Sequence, residues 1–117
     1  KHFLKSKKLK ISVLENPLSI YESMETSELC IGYAGSSSWE RCVLGLPSLV
    51  KAISDNQIFI AKNLEKNGAA RIWKKESELK KLVETMDDRD KWFKVVDASR
   101  KICDGNGSRR VANAILE

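Results

Sequence analysis

The chain has 117 residues, of which 42% are hydrophobic, and a formal net charge of +5. This length suits one domain with a modest core, assigned here to residues 1-117 with a basic leading segment at 1-8. The longest uncharged run, residues 29–39, is too short and too polar to cross a bilayer, so we expect no membrane insertion. Basic residues mostly alternate with acidic ones, which argues against a nucleic-acid partner.

The cysteines and the single histidine do not form a recognisable metal-binding pattern. Cys30, Cys42 and Cys103 are odd in number and far apart, which argues against both a zinc site and a disulfide framework. Free buried thiols are typical of a reducing compartment, so we predict a cytoplasmic protein. His2 precedes the first predicted element and receives no role. We expect no metal and no cofactor.

Four short apolar segments predict β-strands, and helical spacing follows each of them. The first strand is predicted at 9–14, and Asn16-Pro17 then favours the start of a helix. The second strand is predicted at 29–33; the helix after it opens at a serine cluster and ends at Gly45 and Pro47. Strands at 48–53 and 69–73 and helices at 57–66, 76–86, 88–102 and 108–116 complete the prediction.

Alternating strands and helices predict an α/β fold, namely a Rossmann-like doubly wound parallel sheet. The chain opens without an initiator methionine, in Lys1-His2-Phe3-Leu4. We therefore expect a fold truncated at its N-terminus, with further strands upstream. We also expect Trp39 and Trp92 to fill core volume and residues 104–107 to separate two helices.

Three loops follow predicted strands and are expected to meet at one edge of the sheet, because parallel strands share a carboxyl edge. They lie at 15–17, 34–37 and 54–57. In the second loop, Gly35 permits a tight turn, and the serines after it offer backbone amides and hydroxyls at a helix N-terminus, which favours phosphate. The alternative is a capping box between Ser37 and Glu40, and spacing alone favours that cap.

Several motifs in order resemble a known family. The run from Tyr33 to Pro47, YAGSSSWERCVLGLP, is followed by Asp-Asn-Gln at 55–57 and by Asp-Gly-Asn-Gly-Ser-Arg-Arg-Val at 104–111. Residues 9–117 together resemble the C-terminal nucleotide-binding half of a GT-B-fold UDP-sugar hydrolase of pseudaminic acid biosynthesis, and its relatives in spore-coat polysaccharide synthesis. A more distant similarity is to the glycosyltransferase that makes lipid II.

The resemblance implies a role for each candidate site residue. Gly35, Ser36 and Ser37 would hold a diphosphate, and the Glu40 carboxylate would accept hydrogen bonds from the ribose hydroxyls. Asn56 and Gln57 would face the sugar or the phosphates, although an ordinary helix start also explains them. Backbone groups near the first strand would border the uracil; these belong to Val13, Leu14 and Asn16.

The implied function is UDP release from a UDP-linked amino sugar by a cytoplasmic, monomeric, metal-free hydrolase. The partners would be the UDP-sugar and an N-terminal domain of the same protein. That domain would carry the catalytic base, so no catalytic residue is assigned in this chain. Two alternatives remain open: the nucleotide-binding half of a GT-B glycosyltransferase with a carbohydrate or lipid acceptor, and a non-catalytic nucleotide-sugar-binding domain.

Overall fold

A computed structural model of the chain describes residues 12 to 117. Parallel β-strands alternate with helices along this range, and a 3₁₀ turn at Glu76–Glu78 leads into the fourth helix. No helix in this range is both long enough and apolar enough to cross a membrane. The elements are α1 (Tyr21–Thr26), β1 (Cys30–Tyr33), α2 (Ser37–Leu44), β2 (Ser48–Lys51), α3 (Asp55–Lys66), β3 (Ala70–Ile72), α4 (Leu79–Met86), α5 (Arg89–Ile102) and α6 (Gly107–Leu116).

The strands form a three-stranded parallel sheet in the order β1-β2-β3, which confirms the α/β prediction. Ile31 lies opposite Leu49, and Leu49 lies opposite Arg71. Within residues 12 to 117 the strands follow their order in the chain. The reversal of strand order that defines a doubly wound sheet therefore does not fall between these three strands.

The central strand β2 is buried on both faces, as expected for a strand with helices on either side. Leu49 packs in one apolar cluster with Met86 of α4 and Val95 of α5. Val50, its neighbour in sequence, packs in a second cluster that includes Ala61 and Leu64 of α3. Because successive side chains of a strand point to opposite faces, two residues of β2 join two separate layers of the core.

Helix α5 lies against the segments that lead into β2 and β3. The Ser99 hydroxyl donates to the Ala69 carbonyl 3.4 Å away, just before β3. A Cβ placed on Gly45, just before β2, would lie 2.6 Å from Nε of Arg100. Gly45 has φ 66°, so this position favours glycine for its backbone as well as for its lack of a side chain. Helix α5 thus packs at the amino edge of the sheet.

The first predicted strand and helix are wrong where the structure describes them. Residues 9–11 lie outside the described range, but 12–14 form no strand, and α1 begins at Tyr21 instead of after Asn16-Pro17. Asn16 has φ 45°, a left-handed conformation that does not start a helix. Leu18 is fully exposed, so the helical spacing there buries nothing.

The remaining elements agree with the predictions to within a few residues. Among the tryptophans, Trp92 packs in the cluster around Leu49, and its indole N–H donates to the Glu28 carbonyl at 2.7 Å, which confirms its core role. The same prediction is wrong for Trp39, which is 36% exposed. Trp39 lies in the first turn of the short helix α2. The residues of this helix that are buried are Ser38, Arg41 and Cys42, so Trp39 is not on the buried face.

The predicted break between the last two helices is confirmed. Helix α5 ends at Ile102, and α6 begins at Gly107. Between them Asp104 accepts a hydrogen bond from the Asn106 amide at 2.9 Å and pairs with Arg110 at 2.8 Å. Gly105 has φ 80°, which explains the glycine in this turn.

Candidate nucleotide-binding edge

The loops after β1 and β2 leave the sheet side by side. The Ala34 amide donates to the Lys51 carbonyl at 3.0 Å, so the pairing of the two strands continues to their carboxyl ends. The residues that follow, 35–37 and 54–57, are the segments in which the sequence predicts a ligand site. We call this region the carboxyl edge.

The turn between β1 and α2, residues 34–37, is tight and partly satisfied by its own backbone. The Ser38 amide donates to the Gly35 carbonyl at 3.0 Å, and the Trp39 amide donates to the Ser36 carbonyl at 3.2 Å. Ser36 is the N-cap of α2 and makes no capping hydrogen bond with its side chain. A ligand at this turn would therefore use the amides of residues 35–37, not the whole first turn of the helix.

The capping box predicted as the alternative at Ser37 and Glu40 does not form. The N-cap is Ser36, and the Ser37 hydroxyl accepts a hydrogen bond from Nη2 of Arg41 at 2.9 Å. A guanidinium is a stronger donor than a backbone amide, so it takes the hydroxyl that the cap would use. The Glu40 side chain is exposed and has no part in capping the helix.

Gln57 is brought to the turn, and Asn56 is held in its own loop. Oε1 of Gln57 accepts from the Ile53 amide at 3.2 Å, and its Nε2 lies 3.7 Å from the place that a Cβ on Gly35 would occupy. The Ser54 hydroxyl donates to Oδ1 of Asn56 at 2.6 Å. Of the Asn-Gln pair, Gln57 is thus the residue that joins the two loops.

The structure does not carry Val13, Leu14 and Asn16 to this edge on a strand. Residues 12–20 are all exposed, with Val13 at 79% and Leu14 at 60%. A uracil contact at these residues, which the resemblance implies, finds no support in the described fold.

Arg41 belongs to the site and is absent from the sequence prediction. Its side chain is 6% exposed, and its Nη2 donates to the Tyr33 carbonyl at 2.7 Å as well as to Ser37. Both partners belong to the end of β1 and the beginning of α2. The available signal was an arginine one turn after a serine, next to Cys42 on the face of α2 that packs inward.

Lys51 and Trp73 add a second cation near the same edge. Lys51 ends β2, Trp73 directly follows β3, and the lysine Nζ lies 4.9 Å from the centre of the indole ring. The Trp73 indole N–H donates to the Leu49 carbonyl at 3.3 Å. A cation held over a ring at this distance is attracted by the ring's negative face, so the Lys51 ammonium is held beside Trp73, at the ends of β2 and β3.

The Cys42 thiol of α2 is not in its nucleophilic thiolate form. Burial raises the pKa of the Cys42 thiol to about 11, with a smaller contribution from Cys103, so Cys42 stays protonated at neutral pH. Among residues 12 to 117, no group of three or more histidine, cysteine, aspartate or glutamate side chains could hold a metal ion. The groups at or next to the edge are amides, hydroxyls, cations and the exposed carboxylates of Glu40 and Asp55. The amides, hydroxyls and cations suit a polar anion.

Comparison with known proteins gives no relative for this chain. No family model matches it, and no curated protein and no solved structure does so either. The fold and the geometry of the carboxyl edge are therefore the basis on which a function is proposed.

Proposed function

We propose that this chain binds the UDP part of a nucleotide-activated sugar at the carboxyl edge of its sheet. The observation that carries the proposal is that the two loops adjoin: the Ala34 amide donates to the Lys51 carbonyl at 3.0 Å, and Nε2 of Gln57 lies 3.7 Å from the place that a Cβ on Gly35 would occupy. Ligands of open parallel sheets bind where such loops converge beyond the strand ends. The described three-stranded sheet is compatible with a fragment of a Rossmann-like domain.

The diphosphate would lie over the turn formed by Gly35, Ser36 and Ser37. The start of α2 gives it backbone amides and the positive end of a helix dipole, both of which favour an anion. Gly35 leaves open space above the turn, since the nearest atom to a Cβ placed there is Nε2 of Gln57 at 3.7 Å. The Gln57 amide would then donate to a phosphate or to the sugar, while its Oε1 holds the Ile53 amide.

Glu40 would accept hydrogen bonds from the ribose. Its carboxylate is exposed, lies within one turn of the serines, and is not engaged in a capping box. A carboxylate has two acceptor oxygens and so suits two adjacent hydroxyls. The absence of a capping box at Ser37 and Glu40 supports the proposed ribose role.

For the whole protein, we propose a GT-B enzyme of surface polysaccharide or nonulosonic acid biosynthesis that hydrolyses a UDP-linked amino sugar. This chain would be its C-terminal half, and an N-terminal domain would supply the catalytic base. The positive end of α2 would then stabilise the negative charge that develops on the leaving diphosphate.

The test is a binding panel on the 117-residue chain. Isothermal titration calorimetry with UDP, UMP, CMP and GDP should rank UDP first, with UMP weaker because it lacks the second phosphate. Equal affinity for all four nucleotides would reject a uridine site. No heat with UDP at millimolar concentration, in a chain shown to be folded by circular dichroism, would reject the proposal.

A further inference from the structure

Beneath the turn at Gly35 lie two buried polar groups without a partner. Arg41 is 6% exposed, yet its Nη1 has no hydrogen-bond partner. Ser38 is 2% exposed, and its hydroxyl oxygen also has none. Buried polar atoms in folded proteins are nearly always hydrogen-bonded, so each exception calls for an explanation.

The charge of Arg41 is as unusual as its free N–H group. The ion pair formed within residues 12 to 117 joins Arg110 to Asp104 and does not involve Arg41. The neutral Tyr33 carbonyl and Ser37 hydroxyl are its hydrogen-bond acceptors. A buried cation is costly unless an anion compensates it, and among residues 12 to 117 no carboxylate forms an ion pair with Arg41. An anion bound at the turn would supply the missing charge.

The hydrogen bond from Arg41 to Ser37 also determines whether the serine hydroxyl acts as a donor or as an acceptor toward a ligand. The Ser37 oxygen accepts from the guanidinium at 2.9 Å, so its own proton is left to be donated elsewhere. A hydroxyl that accepts from a cation becomes a better donor, because hydrogen bonds in a chain polarise one another. The arrangement turns Ser37 into a donor for an anionic acceptor.

We propose that Arg41 is a positioning residue that makes the Gly35 to Ser37 turn a site for a phosphate-bearing anion. It acts through Ser37, whose hydroxyl it orients by hydrogen bonding, and through its positive charge, which has no ion-pair partner among residues 12 to 117. This inference rests on the proposed nucleotide function, which it deepens by assigning the source of the affinity for the diphosphate. Its ligand class is the diphosphate group, whether free as pyrophosphate or attached to a nucleoside.

The experiment compares charged and uncharged ligands on matched variants of the 117-residue chain. Affinities for UDP, uridine and pyrophosphate are measured for the unmodified chain, Arg41→Gln, Arg41→Lys and Ser37→Ala. We expect Arg41→Gln to weaken UDP and pyrophosphate about tenfold or more, the range for a lost charge-assisted bond, and to leave uridine unchanged. Arg41→Lys keeps the charge and should recover part of the loss. Ser37→Ala should reproduce the selective loss in a chain whose buried charge is intact.

Arg109→Gln is the control for net charge, because Arg109 is exposed on α6 and the substitution removes the same single charge. It should leave all three affinities unchanged. Raising the salt concentration should weaken UDP binding more in the unmodified chain than in Arg41→Gln, since screening acts on the charge that the variant lacks.

The outcomes separate this inference from the nucleotide proposal. If the unmodified chain binds pyrophosphate but not UDP, and Arg41→Gln abolishes that binding, the nucleotide proposal fails and the role of Arg41 holds. A second outcome is that UDP binds, and that the folded Arg41→Gln and Ser37→Ala variants keep the ratio of UDP affinity to uridine affinity of the unmodified chain. Arg41 then has only a structural role, and the inference is overturned. Absence of binding by both UDP and pyrophosphate overturns both.

Discussion

Two turns of this chain contain glycine, polar residues and a nearby arginine, yet they are built in opposite ways. At Asp104 to Gly107, the arginine is Arg110, which is exposed and held by two hydrogen bonds to the Asp104 carboxylate. At Gly35 to Ser37, the arginine is Arg41, which is buried and has neutral acceptors only. The first turn satisfies its own charges; the second leaves a positive charge and an N–H group without a partner.

We infer from this difference that the Asp104 turn is structural and that the Gly35 turn is the candidate binding turn. Exposed ion pairs contribute little to stability, and the turn at Asp104 has the expected design of a connection between two helices. A buried unpaired cation costs stability, and such costs concentrate at functional sites. Both turns belong to the motifs on which the predicted family resemblance rests, so the motif order alone does not distinguish their roles. The surroundings of the two arginines do.

Among substitutions that separate the two turns, the largest change in UDP affinity is expected at Glu40. Glu40→Gln should weaken UDP binding about tenfold or more, because a hydrogen bond to a charged acceptor is replaced by a weaker neutral one. The free energy of unfolding should change little, since Glu40 is exposed and takes no part in a capping box. Calorimetric titration with UDP and urea unfolding measure the two quantities.

Glu84→Gln, at an exposed position on α4, is the matched control and should alter neither quantity. A Glu40→Gln chain that is destabilised by about 1 kcal/mol and binds UDP normally would return this residue to a capping role.

An intermediate effect is expected from alanine at the two glycines, with opposite signatures. Gly105→Ala should destabilise the chain by about 1–2 kcal/mol, because φ is 80° and the new Cβ would lie 3.2 Å from Cγ1 of Val43. Gly35→Ala should leave stability nearly unchanged, because its nearest neighbour is 3.7 Å away, and should weaken UDP binding by filling the space above the turn. Urea unfolding and UDP titration of both variants are the measurements.

If Gly35→Ala and Gly105→Ala change stability and UDP affinity in the same way, the proposed difference between the two turns is contradicted. A Gly35→Ala chain with unchanged UDP affinity would show that no ligand approaches the turn closely. Loss of UDP affinity in a folded Gly105→Ala chain would place UDP binding at the Asp104 to Gly107 turn, contrary to the proposal.

The smallest effect is the pH dependence of the Asp104 turn. The hydrogen bond from Arg110 lowers the pKa of the Asp104 carboxyl from 3.8 to about 2. The folded pKa lies below the unfolded one, so the stabilisation is complete above about pH 3.8 and is lost as the pH falls through about 2. Solvent screening keeps this contribution small, because the pair is exposed.

Thermal unfolding between pH 1.5 and 5 tests this prediction. The midpoint of Asp104→Asn should lie slightly below that of the unmodified chain at pH 5, and the two should converge near pH 2. Asp97→Asn, which removes an exposed carboxyl from α5, controls for the general effect of net charge. An Asp104→Asn curve parallel to the unmodified one across this range would contradict the assignment.

The sequence predicts the parallel sheet and most helices because these follow from local patterns. Glycine at 45 and proline at 47 end α2, and the short apolar run at Leu49 and Val50 locates β2. It fails at residues 12–20, where helical spacing at Leu18 and Tyr21 is not matched by any surface that would bury these side chains. Spacing records which residues can share a face, but not whether a partner covers that face.

The candidate site was predicted in part for the same reason. Gly35 and Gln57 meet because loops at the ends of neighbouring parallel strands must adjoin, which topology alone dictates. Arg41 was missed because arginine is usually exposed, and nothing in its spacing distinguishes a solvated arginine from a buried one. The capping box at Ser37 does not form, because the Ser37 hydroxyl accepts from the Arg41 guanidinium, and the sequence motif does not reveal this competing donor.

We propose that the Gly35 to Ser37 turn binds UDP and that the Asp104 to Gly107 turn does not. Titration of the ¹⁵N-labelled chain with UDP, followed by amide NMR shifts, tests it residue by residue. We expect saturable shifts at residues 35–40 and at Gln57, with residues 104–110 unchanged. No shift at residues 35–40 at millimolar UDP in a folded chain, or shifts centred on residues 104–110, would contradict it.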